Sequence, residues 1–414
     1  MLRRIIVEYL VFGAWAILSI VVVLAFRQST ITVAVSTFGA VVAASLMISW
    51  AAEASEFSIS KGFALAIVAI VQTIPEYFVE GTIAWKAGKD PLSWVPNVIA
   101  NFTGGNRLLT GLGWPLILFT VTIQKRRNGR TGPDSIALRK EQSVELVFML
   151  GSSLYYLFIL VRGEISLLDS LILGLTFLAY MWLLYRLPAE KGETDGYLEG
   201  PSQALVNVKS TKSKTTAIVS LFLFAALTFV FVTDAFVESI RALADTFLVG
   251  LLGSGAVFFS IQWIAPLLSE FPEKVTAFNW ARTIKLAPTA LLNFISSAVN
   301  ELTALVALIP IVYAVSSGTA TAVPVGQHDV EIFLTMAQSL YACAALLDLE
   351  FNPMNAIILF ALWLVSTAIV EVRLVVGIVF LILAGAEVFS QRDRITLFAD
   401  FRDTLGRKIF RKSE

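Results

Sequence analysis

The stretch LLSEFPEKVTAFNW, residues 267–280, holds Glu270, Pro272, Glu273 and Lys274 within little more than one helical turn. It lies between GLLGSGAVFFSIQWIAP and LLNFISSAVNELTALVALIP, two runs that read as hydrocarbon-soluble chain. A carboxylate at the centre of a membrane helix costs roughly 2.5–3.5 kcal/mol on insertion scales. Two of them beside a proline therefore need a purpose.

The setting is a membrane. Over 414 residues the chain is 57% hydrophobic and 15% charged, with mean hydropathy +0.78. Soluble chains average about 25% charged, so this is a polytopic membrane protein. Lysine and arginine balance aspartate and glutamate at 31 each, which excludes bulk affinity for nucleic acid. One cysteine, Cys343, in an apolar run and one histidine, His328, in a polar loop exclude disulfides, thiolate metal sites and Cys–His catalysis. No enzyme activity is expected, and no cofactor. The opening MLRRIIVEYLVFGAWAILSIVVVLAF is long enough to span and lacks a small-residue cleavage site, so it reads as a retained helix.

Apolar runs of spanning length occur near 5–26, 33–55, 62–85, 93–123, 142–161, 165–186, 215–238, 246–281, 286–314, 330–348, 354–371 and 373–390, about twelve helices. The lysine- and arginine-rich segments KRRNGRTGPDSIALRKE, 187–214 and 391–414 fall on one side, while SSGTATAVPVGQHD on the other has no basic residue. Both termini are therefore expected in the cytoplasm. Modest length and no processing signal suggest a prokaryotic plasma membrane.

The halves on either side of 188–214 repeat one another. SVELVFMLGSSLYYLF parallels DVEIFLTMAQSLYACA, QTIPEYFVEGTIAW parallels SEFPEKVTAFNWAR, and ANFTGGNRLLTG parallels LNFISSAVNELT, in the same order. An odd number of spans per copy turns the copies upside down relative to each other, the signature of alternating-access transporters with a midplane site. The expected fold is all-α: two inverted five-helix repeats, 31–187 and 215–371, joined by a cytoplasmic linker, 188–214. One extra helix stands at each end, 1–30 and 372–390, before a basic tail, 391–414.

Pro75 and Pro272 precede Glu76 and Glu273 at matching points. Each proline should kink its helix and free a carbonyl, near Val71 and Leu268, beside a carboxylate. Hard cations favour that mixture of oxygens. The next helix of each half adds Asn101, Thr103, Gly104, Gly105, Asn106 and Thr110, or Asn293, Ser296, Ser297, Asn300, Glu301 and Thr303. The glycine and serine pairs serve either packing or ion contact. Glu53, Glu56, Glu80 and Glu238 read as interfacial, Trp85, Trp94 and Trp280 as interface anchors, and His328 as a solvated loop residue.

This pattern resembles the calcium/cation antiporter superfamily, which includes the sodium/calcium exchangers. Its members carry two inverted repeats, each with G-T-S-L-P-E on one helix and G-N-x-x-G-S-N on the next. Here the copies read VQTIPE (71–76) with ANFTGGN (100–106), and LSEFPE (268–273) with LNFISSA (292–298). The resemblance implies that Glu76 and Glu273 are the central cation-binding glutamates. Gln72, Thr73, Ser269 and Glu270 stand at the Thr-Ser pair, Asn101 and Asn293 at the motif asparagine. Gly105 and Ser297 take the motif serine, Asn106 and Ala298 the asparagine after it, and Glu301 a later polar ligand whose first-repeat counterpart is Leu109. It further implies secondary active antiport of Ca2+, Na+ or H+, either Na+/Ca2+ or cation/H+ exchange, with inorganic cations and the bilayer as partners. The departures are an extra carboxylate, Glu270, and two cations, Arg107 and Lys274. Buried charges pair, so Arg107 or Lys274 should partner one of the carboxylates and stand in for a bound Na+, favouring proton coupling. The alternative is a transport-inactive membrane sensor or scaffold.

Overall fold

A computed structural model describes residues 2–25, 30–56, 73–129, 134–187 and 200–406. Residues 57–72, which include Val71, Gln72 and the first part of the expected 62–85 span, linker residues 188–199 and the last residues of the tail lie outside them. Helices dominate: α1 (Leu2–Ala25), α2 (Thr30–Glu56), α3 (Ile74–Lys89), α4 (Pro91–Leu108), α5 (Trp114–Arg127), α6 (Ser143–Arg162) and α7 (Leu167–Arg186) precede the linker. After it come α8 (Thr211–Leu243), α9 (Ala256–Ser269), α10 (Phe271–Arg282), α11 (Ala287–Asn300), α12 (Val306–Ser317), α13 (Asp329–Ala344), α14 (Pro353–Ala368) and α15 (Arg373–Ser390). Among the described residues eight helices are long and apolar enough to cross a membrane.

The exposed faces are apolar. On α7, Leu168, Leu171, Leu175 and Leu178 point outward at helical spacing, as do Leu154, Leu157, Phe158 and Val161 on α6. Glutamates, asparagines and two arginines are buried instead. Such an arrangement suits hydrocarbon as solvent, in which backbone polar groups must be satisfied within each helix.

Four two-residue strands expose the inversion. β1 (Ile136–Ala137), just before α6, pairs antiparallel with β4 (Glu350–Phe351), just after α13. β2 (Glu164–Ile165), just after α6, pairs with β3 (Val323–Pro324), just before α13. The start of α6 thus meets the end of α13, and its end meets the start of α13. A 20-residue helix is about 30 Å long, so the two pairings lie on opposite membrane faces. Gly163, left-handed at φ +66°, ends α6, and its carbonyl accepts the N–H groups of Val325 and Gly326 at 2.9 and 3.0 Å.

Both copies share two irregularities. A helix begins at each Pro-Glu pair: α3 has Pro75 and Glu76 in its first turn, and α10 has Pro272 and Glu273. The expected kinked helix across 246–281 is corrected to a break, with Glu270 standing between α9 and α10. A proline lacks the N–H that a helix interior needs but not the one its first turn wastes, so restarting is the cheaper geometry. In addition, one π-helical turn follows each asparagine-bearing helix, at Leu109–Gly113 and at Glu301–Leu305.

Helices α4 and α9 touch backbone to backbone. A Cβ on Gly104 would sit 1.9 Å from the Gln262 carbonyl oxygen, so this glycine serves close packing. Gly104→Ala should cost about 1–3 kcal/mol or more through overpacking. Thermal unfolding in detergent should show a clear fall in Tm, and an unchanged Tm would contradict this contact.

Candidate functional site

Helices α3, α10 and α11 bring three acids to one point. Carboxylate oxygens of Glu76, Glu270 and Glu301 lie within 4.8 Å of one another, and all three residues are buried. Glu76 sits in the first turn of α3, where the helix dipole favours negative charge. Glu270 is the N-cap position of α10. Glu301 opens the π-helical turn after α11, a widened stretch common at functional sites. Room for the group comes from Gly105: a Cβ there would lie 3.0 Å from Glu76 Oε1 and 3.2 Å from Glu301 Oε1. The two glycines therefore divide the roles that the sequence left open.

Lys274, one turn along from Glu270, donates its ammonium to Glu270 Oε2. Both oxygens of Glu76, both of Glu301 and Oε1 of Glu270 have no hydrogen-bond donor. A buried carboxylate without donors is costly, and oxygens converging at this spacing are what a hard cation or shared protons would satisfy.

Glu273 is not in this triad. Its Oε1 accepts from Asn293 Nδ2 at 2.9 Å and from the Ser297 hydroxyl, so it is turned toward α11. The remaining motif residues are engaged elsewhere. Asn101 donates to Glu80 at 2.7 Å, and Asn106 accepts from Ser339 at 2.7 Å and lies 3.5 Å from the Ala298 carbonyl. The Ser269 hydroxyl donates to the Ala265 carbonyl at 3.0 Å, and the Thr73 carbonyl accepts the N–H groups of Glu76 and Tyr77.

Arg107 does not reach the triad. It pairs with Glu331 at 2.8 Å, while Lys274 takes the partnership with a site acid. Glu80 is fully buried and Glu53 nearly so, which corrects their interfacial reading, and Trp94 is buried too. Glu238 is half exposed and pairs with Lys86 at 2.7 Å. His328 is not freely solvated: it stacks on Phe258 at 5.6 Å, and that burial holds its imidazole below the ordinary range. Sequence reasoning missed Tyr77, whose hydroxyl donates to Asn300 Oδ1, although it directly follows Glu76. It also missed Gln262 and Gln338, isolated amides in apolar runs that give no repeat signal.

Residues 28–186 match the family described as sodium/calcium exchanger protein. The crystal structure of the H+/Ca2+ exchanger CAX is 33% identical, with a TM-score of 0.86 over 97% of this chain and 98% of that one. The chain belongs to the calcium/cation antiporter superfamily. The exchanger also shares its fold with native YfkE (16% identity, TM-score 0.55, 91% and 100% covered). NCX_Mj soaked with 10 mM Na+ and 10 mM Sr2+ is a more distant likeness (14% identity, TM-score 0.50, 88% and 98% covered). No curated protein matches. The family is one of secondary transporters in membranes, not of enzymes.

Gly105→Ala should crowd Glu76 and Glu301 without disturbing a helix contact. Thermal shift with and without Ca2+ checks this: the exchanger's stabilisation by the ion should shrink by half or more while its ion-free Tm stays within a few degrees. Full ion stabilisation in the variant would contradict the assignment of Gly105 to the triad.

Proposed function

We propose that this exchanger moves Ca2+ against protons by alternating access, using Glu76, Glu270 and Glu301 as the shared binding group. The observation that carries the reading is the triad of buried acids with five donorless oxygens, one member already tied to an ammonium. Glu273, backed by Asn293 and Ser297, completes the charge count.

The count argues for the counter-ion. Four acids and Lys274 leave three negative charges uncompensated when every group is ionised. A divalent cation plus one proton neutralises them, and so do three protons. Either load lets the site cross a dry barrier, whereas the bare site is held back by its own charge. The two neutral loads differ by one Ca2+ against two protons, so the exchange carries no net charge. Lys274 takes the place that a monovalent cation would otherwise fill, which removes the need for Na+. The lone pairs of Glu76 and Glu301 hold the ion. Glu270 is oriented by its ammonium, and Gly105 keeps the space open.

The same reading assigns 31–187 and 215–371 as the two moving copies, meeting at helices α3 and α10, with both termini on the cytoplasmic side.

Reconstituted vesicles test it. Ca2+ uptake should follow an imposed pH gradient, persist without Na+, and be unchanged by a membrane potential. Glu76→Gln and Glu301→Gln should each lower it at least about a hundredfold, on the scale of losing a charged ligand. Strict Na+ dependence, or near-normal flux in either variant, would defeat the proposal.

A further inference from the structure

Outside the triad the structure holds a second buried charge cluster. Glu331, in the first turn of α13, is surrounded. Its Oε2 accepts from Arg107 at 2.8 Å and from Gln262 at 3.1 Å, and its Oε1 accepts from Arg373. Arg107 also donates to the Ser366 hydroxyl at 3.1 Å. Arg373 donates to the Ser366 carbonyl at 3.0 Å and to Gln262 Oε1 at 3.2 Å. All five residues are buried. They come from α4, α9, α13, α14 and α15, so a single knot ties the first copy to the second and to the last helix.

The inverted repeat supplies an internal control. SVEL (143–146) parallels DVEI (329–332), so Glu145 is the counterpart of Glu331. Because α6 and α13 run in opposite directions, Glu331 lies at the membrane face of β2 and β3, and Glu145 at the face of β1 and β4. The knot is not repeated at Glu145. The alignment sets Val299 against Arg107, and the counterpart of Arg373 is Arg186, which is exposed beside the Trp182 ring at 5.2 Å. Glu145 is buried with Oε2 donorless, and among the described residues no cation pairs with it.

We infer that Arg107, Glu331 and Arg373 form a charged latch that holds the β2–β3 face of the exchanger shut, with no equivalent around Glu145 at the opposite face among the described residues. The latch and the binding group share helix α4 but use different sides of it. Arg107 lies two residues beyond Gly105, the glycine that faces Glu76 and Glu301. Its second guanidinium leaves the knot with surplus positive charge, which repels a cation attempting to leak past it. For the triad to open toward β2 and β3, α13 and α15 must part from α4, and these ion pairs must separate and be rehydrated. Opening toward β1 and β4 breaks no buried ion pair at Glu145. The two access states therefore differ in free energy by what the latch contributes, and the exchanger rests open to the β1–β4 face.

This inference rests on the alternating-access reading, and the experiment separates the two. Ca2+ flux is measured in right-side-out and inside-out vesicles for the wild type, Arg373→Gln and Ser366→Ala. Arg373→Gln leaves Arg107 and Glu331 paired one to one. It should lower the half-saturating Ca2+ concentration on the β2–β3 face, and raise it on the other face, about fivefold each, as expected for a shift between two states. Ser366→Ala, a one-atom change, should move both constants in the same directions by about twofold. It serves as the test if Arg373→Gln does not fold. Equal changes on both faces, or none, in the folded variants would overturn the latch while leaving the transport reading intact. Absence of flux in the wild type would instead overturn the transport reading.

Discussion

The structure depends on the cost of holding carboxylates where water cannot reach them. A buried acid has to be balanced by a cation, a proton or hydrogen-bond donors, and the exchanger uses all of these differently at different points. Glu331 is balanced permanently, by two guanidiniums and an amide. Glu273 has one oxygen held by an amide and a hydroxyl and the other without a donor. Glu270 has one oxygen on an ammonium and one without a donor. Glu76 and Glu301 have no donor at all. That gradient, from saturated to unsatisfied, separates groups that hold the protein together from groups left for a mobile ion.

The backbone features serve the same end. Beginning α3 and α10 at a Pro-Glu pair puts Glu76 and Glu273 in first turns, where the unpaired N–H groups and the helix dipole favour negative charge. The π-helical turn begins at Glu301, and its mate begins at Leu109, so one geometry carries a ligand in one copy and an apolar contact in the other. The exchanger is symmetric in backbone and asymmetric in charge. The acids gather on the second copy, and the fixed cations divide between Lys274 beside the triad and Arg107 on the opposite helix.

Much of this was legible in the sequence. Long apolar runs located the spans, because a bilayer allows few alternatives to a helix of that length. The parallel between QTIPEYF and SEFPEKV exposed the repeat and singled out Glu76, Glu270 and Glu273, and that between ANFTGGNRLLTG and LNFISSAVNELT added Glu301. What could not be read was which of these acids converge. Glu76 and Glu273 are equivalent by motif, yet Glu273 is drawn to Ser297 and Asn293 while Glu270 turns in. A serine present in one copy and a glycine in the other decide that, and only side-chain geometry reveals it. The interfacial reading of Glu80 failed for a related reason. Proximity to a helix end says nothing about depth when Asn101 reaches across from the next helix. Glu331 carried no signal either, since its partners Arg107, Gln262 and Arg373 are scattered over 267 positions.

The central claim is that Ca2+ and protons compete for one set of buried acids. Calorimetry of Ca2+ binding to the purified exchanger in buffers of different ionisation enthalpy tests it directly. The account predicts that about two protons leave for each Ca2+ bound near neutral pH. Binding enthalpies independent of buffer, meaning that no proton is released, would contradict it.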